Sequence, residues 1–137
     1  MRRTIYTPQT SDVIKVEYDD QLQCILVAWK KLDSDEMRAC CLAQYEAQEK
    51  YGAKYTIIDL SQAEGAVKPE DQEWFDTVHY PEVARATTAQ TIITILPKGT
   101  MAGISVKRYR RLGEKYGIAM YECMDMAVAL EIIKGKL

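Results

Sequence analysis

The stretch "YTIIDLSQAEG", Tyr55 to Gly65, decides how this chain is read. Its opening, with Lys54 before it ("KYTIID"), is short, β-branched and unbroken, the pattern of a strand covered on both faces in a parallel or mixed sheet. The apolar run then stops on Asp59-Leu60-Ser61. An acid and a hydroxyl side by side there read two ways. One is a functional edge, where a sheet presents polar groups to a ligand or partner. The other is an ordinary strand end with a capped turn.

Upstream, "VIKVEY" (Val13–Tyr18) alternates as a half-buried strand does. "DDQ" is turn chemistry, and "LQCILVAW" (Leu22–Trp29) is a more apolar strand, so the two form a hairpin. Asp33 or Ser34 can cap a helix that runs to about Tyr51, with Asp35 and Glu36 suited to its first turn and Gly52 as its stop. Downstream, Pro69 fits a first helical turn with Glu70, Asp71 and Glu73 near the positive end of the dipole. That helix carries Trp74, Phe75 and Val78 and is expected to stop before Pro81. "QTIITIL" (Gln90–Leu96) is a further buried strand, "KGTMAG" a loop, and Ile104–Tyr116 a third main helix stopped by Gly117. Ile118–Glu122 is a last strand, and a final helix is capped by Asp125. The order is β-β-α-β-α-β-α-β-α, which predicts an α/β fold with a mixed five-stranded sheet. Residues 1–11 are polar with Pro8 and read as a flexible tail; residues 12–137 read as one domain.

A chain of 137 residues with 47% hydrophobic content can bury one real core. Its formal charge of −2 gives no bulk field for nucleic acid or anionic membrane. "MRRTIYTPQT" has no apolar region after its arginines, and no apolar run approaches the ~20 residues of a membrane helix. The expected location is the cytoplasm, without membrane insertion. Cys24, Cys40, Cys41 and Cys123 form no CxxC, and the lone His79 completes no zinc set, so no metal and no cofactor are expected. The four thiols read as small apolar residues in a reducing compartment.

Candidate sites follow from position. In open α/β sheets, ligands and partners bind beyond the carboxyl ends of strands. Asp59 and Ser61 lie there, as do Lys98 and Thr100 after the next strand, so these four can share one rim. On the third helix Lys107, Arg111 and Lys115 lie opposite the apolar face, flanked by Arg108 and Arg110. This basic face suits an anionic ligand or an acidic partner, or is simply a solvated face. No aromatic interleaves with it, which argues against nucleic-acid stacking. "LPKGTMAG" is no phosphate-binding P-loop. His79 and Trp74 read as structural residues rather than catalytic or stacking groups. Gln44 and Gln48 either border the core or line a polar pocket.

The segments "VEYDDQLQCILVAW", "KYTIIDLS", "KPEDQEWF", "ILPKGTMAGISVKR" and "DMAVALEIIK" together resemble the STAS-like family, in a bacterial subgroup of stand-alone domains. The resemblance implies a mixed sheet with helices packed mainly on one side. It also implies a role that is not enzymatic: phosphorylation-controlled antagonism of anti-sigma factors, or regulation of transporters and sensors. A related lipid-carrier fold binds hydrophobic ligands in a cleft. The antagonists carry an Asp-Ser-Ser/Thr-Gly loop after the strand end, with a phosphorylated serine. Here that loop is "QAEGAVKPED" and holds no serine, so the switch residue has no match and is not assigned to Ser61. The expectation is a non-catalytic regulatory or protein-interaction module able to form a homodimer. The alternative is a carrier or sensor of a small anionic or amphipathic, lipid-like ligand.

Overall fold

A computed structural model describes residues 1–85, 91–98 and 100–136. It is an α/β fold built on one mixed sheet in the order β1-β2-β3-β4-β5-β6. The strands are β1 (Arg2–Thr4), β2 (Val13–Asp19), β3 (Cys24–Trp29), β4 (Tyr55–Asp59), β5 (Thr91–Ile95) and β6 (Ala119–Cys123). The first three pair antiparallel and the last three join in parallel. The sheet therefore has six strands, not five. The extra strand comes from the polar opening, where a loose tail is expected: Arg2 pairs with Asp19 and Thr4 with Glu17.

Three helical connections follow the parallel strands: α1 (Met37–Tyr51), a stretch made of α2 (Pro69–Trp74), a π-helical turn (Phe75–His79) and α3 (Tyr80–Ala84), and α4 (Thr100–Lys115). Right-handed crossovers between consecutive neighbours put all of these on one face. There Val16, Val27, Trp29, Ile58 and Ile92 meet Met37, Phe75, Tyr80, Val106 and Leu112. The last helix, α5 (Met126–Lys136), covers the other face, laying Ala129 and Ile133 on Leu26, Ile57, Ile93 and Ile95. With both faces of β4 covered, its unbroken apolar pattern is explained. Ile57, Ile93 and Ile133 are fully buried, each worth about 1.5–3 kcal/mol of transfer free energy.

Local chemistry sets the boundaries. Gly52 ends α1 in the left-handed region at φ 65°, and its amide bonds back to the Gln48 carbonyl. Asp125 caps α5 by accepting from the Val128 amide at 2.9 Å. The helix expected to stop before Pro81 instead passes through it. The π turn closes with the Tyr80 amide on the Phe75 carbonyl, and Pro81, which has no N–H to give, falls in the first turn of α3. α4 starts at Thr100 rather than Ile104, so part of the expected loop is its first turn. Gln90, expected to open β5, and Gly99 lie outside the described residues.

Neither Asp33 nor Ser34 caps α1: the helix begins at Met37 after Glu36, without a side-chain cap, so Asp35 and Glu36 precede its first turn, and the Ser34 hydroxyl accepts from the Glu36 amide at 3.1 Å instead. The Glu36 carboxylate is used elsewhere. The residue stands just before α1, buried, and its carboxylate accepts from the Gln9 amide (2.8 Å), the Thr10 amide (2.7 Å), the Thr10 hydroxyl (2.5 Å) and the Tyr6 hydroxyl. Residues 6–10 are thereby strapped to the helical layer.

Candidate functional site

The end of β4 is built by Asp59 itself. Its Oδ1 accepts from the Ser61 amide at 3.0 Å and from the Ser61 hydroxyl at 2.6 Å. This is a side chain closing its own turn, the pattern that lets aspartate end a strand without orphaning the next amide. The turn is also part of a concave surface. Pairing sets Lys15 opposite Ala28 and Ala28 opposite Asp59, so the small Ala28 leaves space between a cation and an acid. The register of β2 and β3 shifts between Val13 and Lys15, and Ile14 is left 40% exposed. Ile14, Lys15, Ala28, Asp59, Ser61 and Gln62 line a shallow groove of about 220 Å³. A second groove of about 240 Å³, lined by Ser11, Asp12, Lys30, Lys31, Gln62 and Glu64, meets the first at Gln62. The two run along the carboxyl ends of β3 and β4 and carry charges of both signs.

Of the four expected rim residues, Asp59 and Ser61 line this groove. Lys98 is exposed beyond β5 and does not line it. Thr100 is the first residue of α4, and its side chain lies outside the described residues. β4 and β5 are neighbours, with the Leu60 amide on the Ile95 carbonyl at 3.0 Å, so their loops leave the same edge of the sheet.

The basic face of α4 is partly consumed by pairing. Arg108 reaches Asp76 at 3.0 Å, and Arg110 reaches Glu114 at 2.8 Å and Glu122 at 3.1 Å. Lys115 lies over the ring of Tyr116. Lys107 and Arg111 are exposed and make no ion pair with a described residue. The cationic excess therefore shrinks to Lys107, Arg111 and Lys115.

Behind the helices the interior is nearly full. A cavity of about 60 Å³ lies among Trp29, Met37, Ile58, Phe75, Ser105 and Val106. A neighbouring space of about 30 Å³ is lined by Gln48, Thr56, His79 and Tyr80, and the two share Cys41, Gln44 and Tyr109. Gln44 and Gln48 thus border a small space of mixed lining at the edge of the core. His79 is buried, stacked on Trp74 at 4.7 Å between centroids, with the rings of Phe75, Tyr80 and Tyr45 around it. Desolvation alone lowers its pKa to about 4, so it is neutral at pH 7. Asp76, three residues earlier in the sequence, accepts from Arg108 at 3.0 Å. Burial pushes the Cys24 and Cys40 thiols up to about 12 and the Cys41 thiol well above its ordinary value, which keeps all three protonated. Among the described residues no cluster of three or more His, Cys, Asp or Glu is arranged to hold a metal ion. None of the described helices is long and apolar enough to cross a membrane.

Sequence reasoning places Asp59 and Ser61 at the groove but misses Ile14, Lys15, Lys30, Lys31 and Gln62. Their only signal is the register of the opening hairpin, which the bulge shifts. A scan against protein-family models finds no match, and searches of the curated proteins and of the solved structures return none either.

Proposed function

We propose that this chain is a non-catalytic regulatory or protein-interaction module of STAS-like type, without the phosphorylatable loop of the antagonists, and that it meets its partner at the groove along β3 and β4. The observation that carries the reading is where concave space lies. The larger grooves, about 220 and 240 Å³, are lined mostly by polar and charged residues. The apolar interior offers about 60 Å³. Small-molecule sites are typically apolar clefts of roughly 300–1,000 Å³. A lipid-like ligand is too large for this interior, whereas a protein segment can lie along the larger grooves and pair its charges with Lys15, Lys30, Lys31 and Asp59.

The test is a photo-crosslinking residue at Gln62, with one at the exposed Glu131 on α5 as control. A defined protein should be captured through Gln62 alone. The purified captured protein should then bind the chain, and Ser61→Arg should weaken it at least about tenfold. Equal capture at both positions, or binding indifferent to Ser61→Arg, would sink the reading.

A second reading is a carrier or sensor of a small anionic ligand. It is favoured by one observation, the exposed stripe of Lys107, Arg111 and Lys115. Native mass spectrometry of freshly purified protein distinguishes the two: a co-purifying mass of a few hundred daltons, lost in Lys107→Glu/Arg111→Glu, selects the carrier.

A further inference from the structure

The two ends of the sheet are treated differently. β1 is three residues long and carries Arg2 and Arg3, each held on an acid of the β2 turn, Asp19 at 3.3 Å and Asp20 at 3.7 Å. Short length and charge are how natural sheets blunt an edge. β6 ends the other side, and among the described residues it pairs only with β5. Its sequence, Ala119-Met120-Tyr121-Glu122-Cys123, has no proline and no lysine. Its one charge, Glu122, is occupied by Arg110 at 3.1 Å. Tyr121 is 37% exposed, and Met124 and Val128, just beyond in the turn and on α5, are 73% and 41% exposed. A strand edge that no described residue pairs with, beside partly exposed apolar residues, is a template for strand addition.

The backbone sets the register of that addition. The Cys123 carbonyl accepts from the Leu96 amide at 2.9 Å, so the polar groups of Cys123 face β5. Alternation then turns the amides and carbonyls of Met120 and Glu122 outward. We propose that β6 pairs antiparallel with β6 of a second copy, on a twofold axis through Tyr121. Met120 of each copy then faces Glu122 of the other, and each pair exchanges both of its bonds, about four in all. Tyr121 meets its own copy at a non-hydrogen-bonded position, where side chains come closest. Centring the axis on Glu122 would set two carboxylates face to face, and centring it on Met120 would leave Glu122 opposite a residue outside the strand. The Tyr121 axis alone uses the whole strand.

A second copy is the occupant that fits, because the edge is its own complement: Tyr121 meets Tyr121, Ala119 meets Cys123, and the Glu122 that faces Met120 arrives already neutralised by Arg110. About one hydrogen bond per 100–200 Å² relates four bonds to roughly 400–800 Å², with the stripe of Tyr121, Met124 and Val128 adding to it. That is below the ~1,200 Å² of stable complexes, so the dimer exchanges and depends on concentration.

Sedimentation velocity over a concentration series tests this. The wild-type chain should shift from monomer to dimer, and Tyr121→Lys, which sets two like charges on the axis, should stay monomeric to about 1 mM with an unchanged circular dichroism spectrum. As a second arm, Tyr121→Cys should form an intermolecular disulfide under mild oxidation, because a Cα separation of about 4.5 Å lies within disulfide range, while Val128→Cys should not. A wild-type monomer at about 1 mM, or a dimer as tight in Tyr121→Lys as in the wild type, overturns the proposal. Ser61→Arg at the groove should leave dimerisation unchanged, so loss of the dimer and loss of partner binding are separate results.

Discussion

Acid should weaken this protein through His79. The chain holds one histidine, so it is the one side chain whose ordinary pKa falls between pH 5 and 8. In the folded state it is enclosed by Trp74, Phe75, Tyr80 and Tyr45, and burial lowers its pKa from 6.5 to about 4. Between those values the unfolded chain binds a proton that the folded chain does not. The neutral ring's contribution is therefore complete above about pH 6.5 and is lost as the pH falls toward 4. A gap of about 2.5 units, at about 1.4 kcal/mol per unit, amounts to roughly 3 kcal/mol, a large share of the 5–15 kcal/mol of a typical domain. Urea unfolding at a series of pH values should show this loss, and His79→Gln should abolish the part lying between about pH 6.5 and 5, where few carboxylates titrate. Proton NMR of the single imidazole should place its midpoint well below 6.5. A wild-type stability that is flat from pH 7 to 5, or a slope retained in His79→Gln, would refute the reasoning.

Glu36→Ala strands two backbone amides and two hydroxyls of the strap; stability should fall by about 2–4 kcal/mol, and limited proteolysis should open residues 1–10 first. Burial raises the Glu36 carboxyl, but the hydrogen bonds from Thr10, Tyr6 and Gln9 outweigh it and hold it below 4.5; the strap should persist above that pH and loosen as the pH falls through the lower folded value. Arg38→Ala removes the 2.9 Å partner of the buried Asp71 and should cost about 2–3 kcal/mol by chemical denaturation, with Arg38→Ala/Asp71→Asn recovering at least half, because the unpaired charge is the larger part of the penalty. Asp59→Ala, which deletes the acceptor for two hydrogen bonds of Ser61, should lower stability by about 1 kcal/mol; Ser61→Ala, which removes only the hydroxyl, should cost less.

Part of the fold is legible in short stretches of the chain. The apolar run of β4, the stop at Gly52 and the cap at Asp125 each depend on neighbours within a few residues, and each stands where the pattern puts it. β1 was not legible. "RRT" has no strand periodicity, and these residues are extended because β2 offers them a ladder and Ile5 packs into the core beside them. The π turn was hidden for a related reason: Pro81 read as a stop, but the wider turn before it removes the demand for its N–H.

The candidate groove divides in the same way. Asp59 and Ser61 announce themselves, because a strand that breaks on an acid and a hydroxyl marks a sheet edge from the chain alone. Lys15, Ala28 and Gln62 carry no such mark. Lys15 and Ala28 join Asp59 only because a bulged antiparallel pair and a parallel pair bring three strands into one row, while Gln62 follows in the same loop. By itself the sequence determined the periods of β2 to β6, the stop at Gly52 and the cap at Asp125, and hence an α/β order with a mixed sheet, since these rest on interactions between near neighbours. The tertiary structure alone decided the sixth strand, the strap on Glu36, the neutral burial of His79 and the exposed edge of β6. Each of these depends on residues far apart in the chain meeting across the fold or, for β6, on pairing with β5 alone among the described residues.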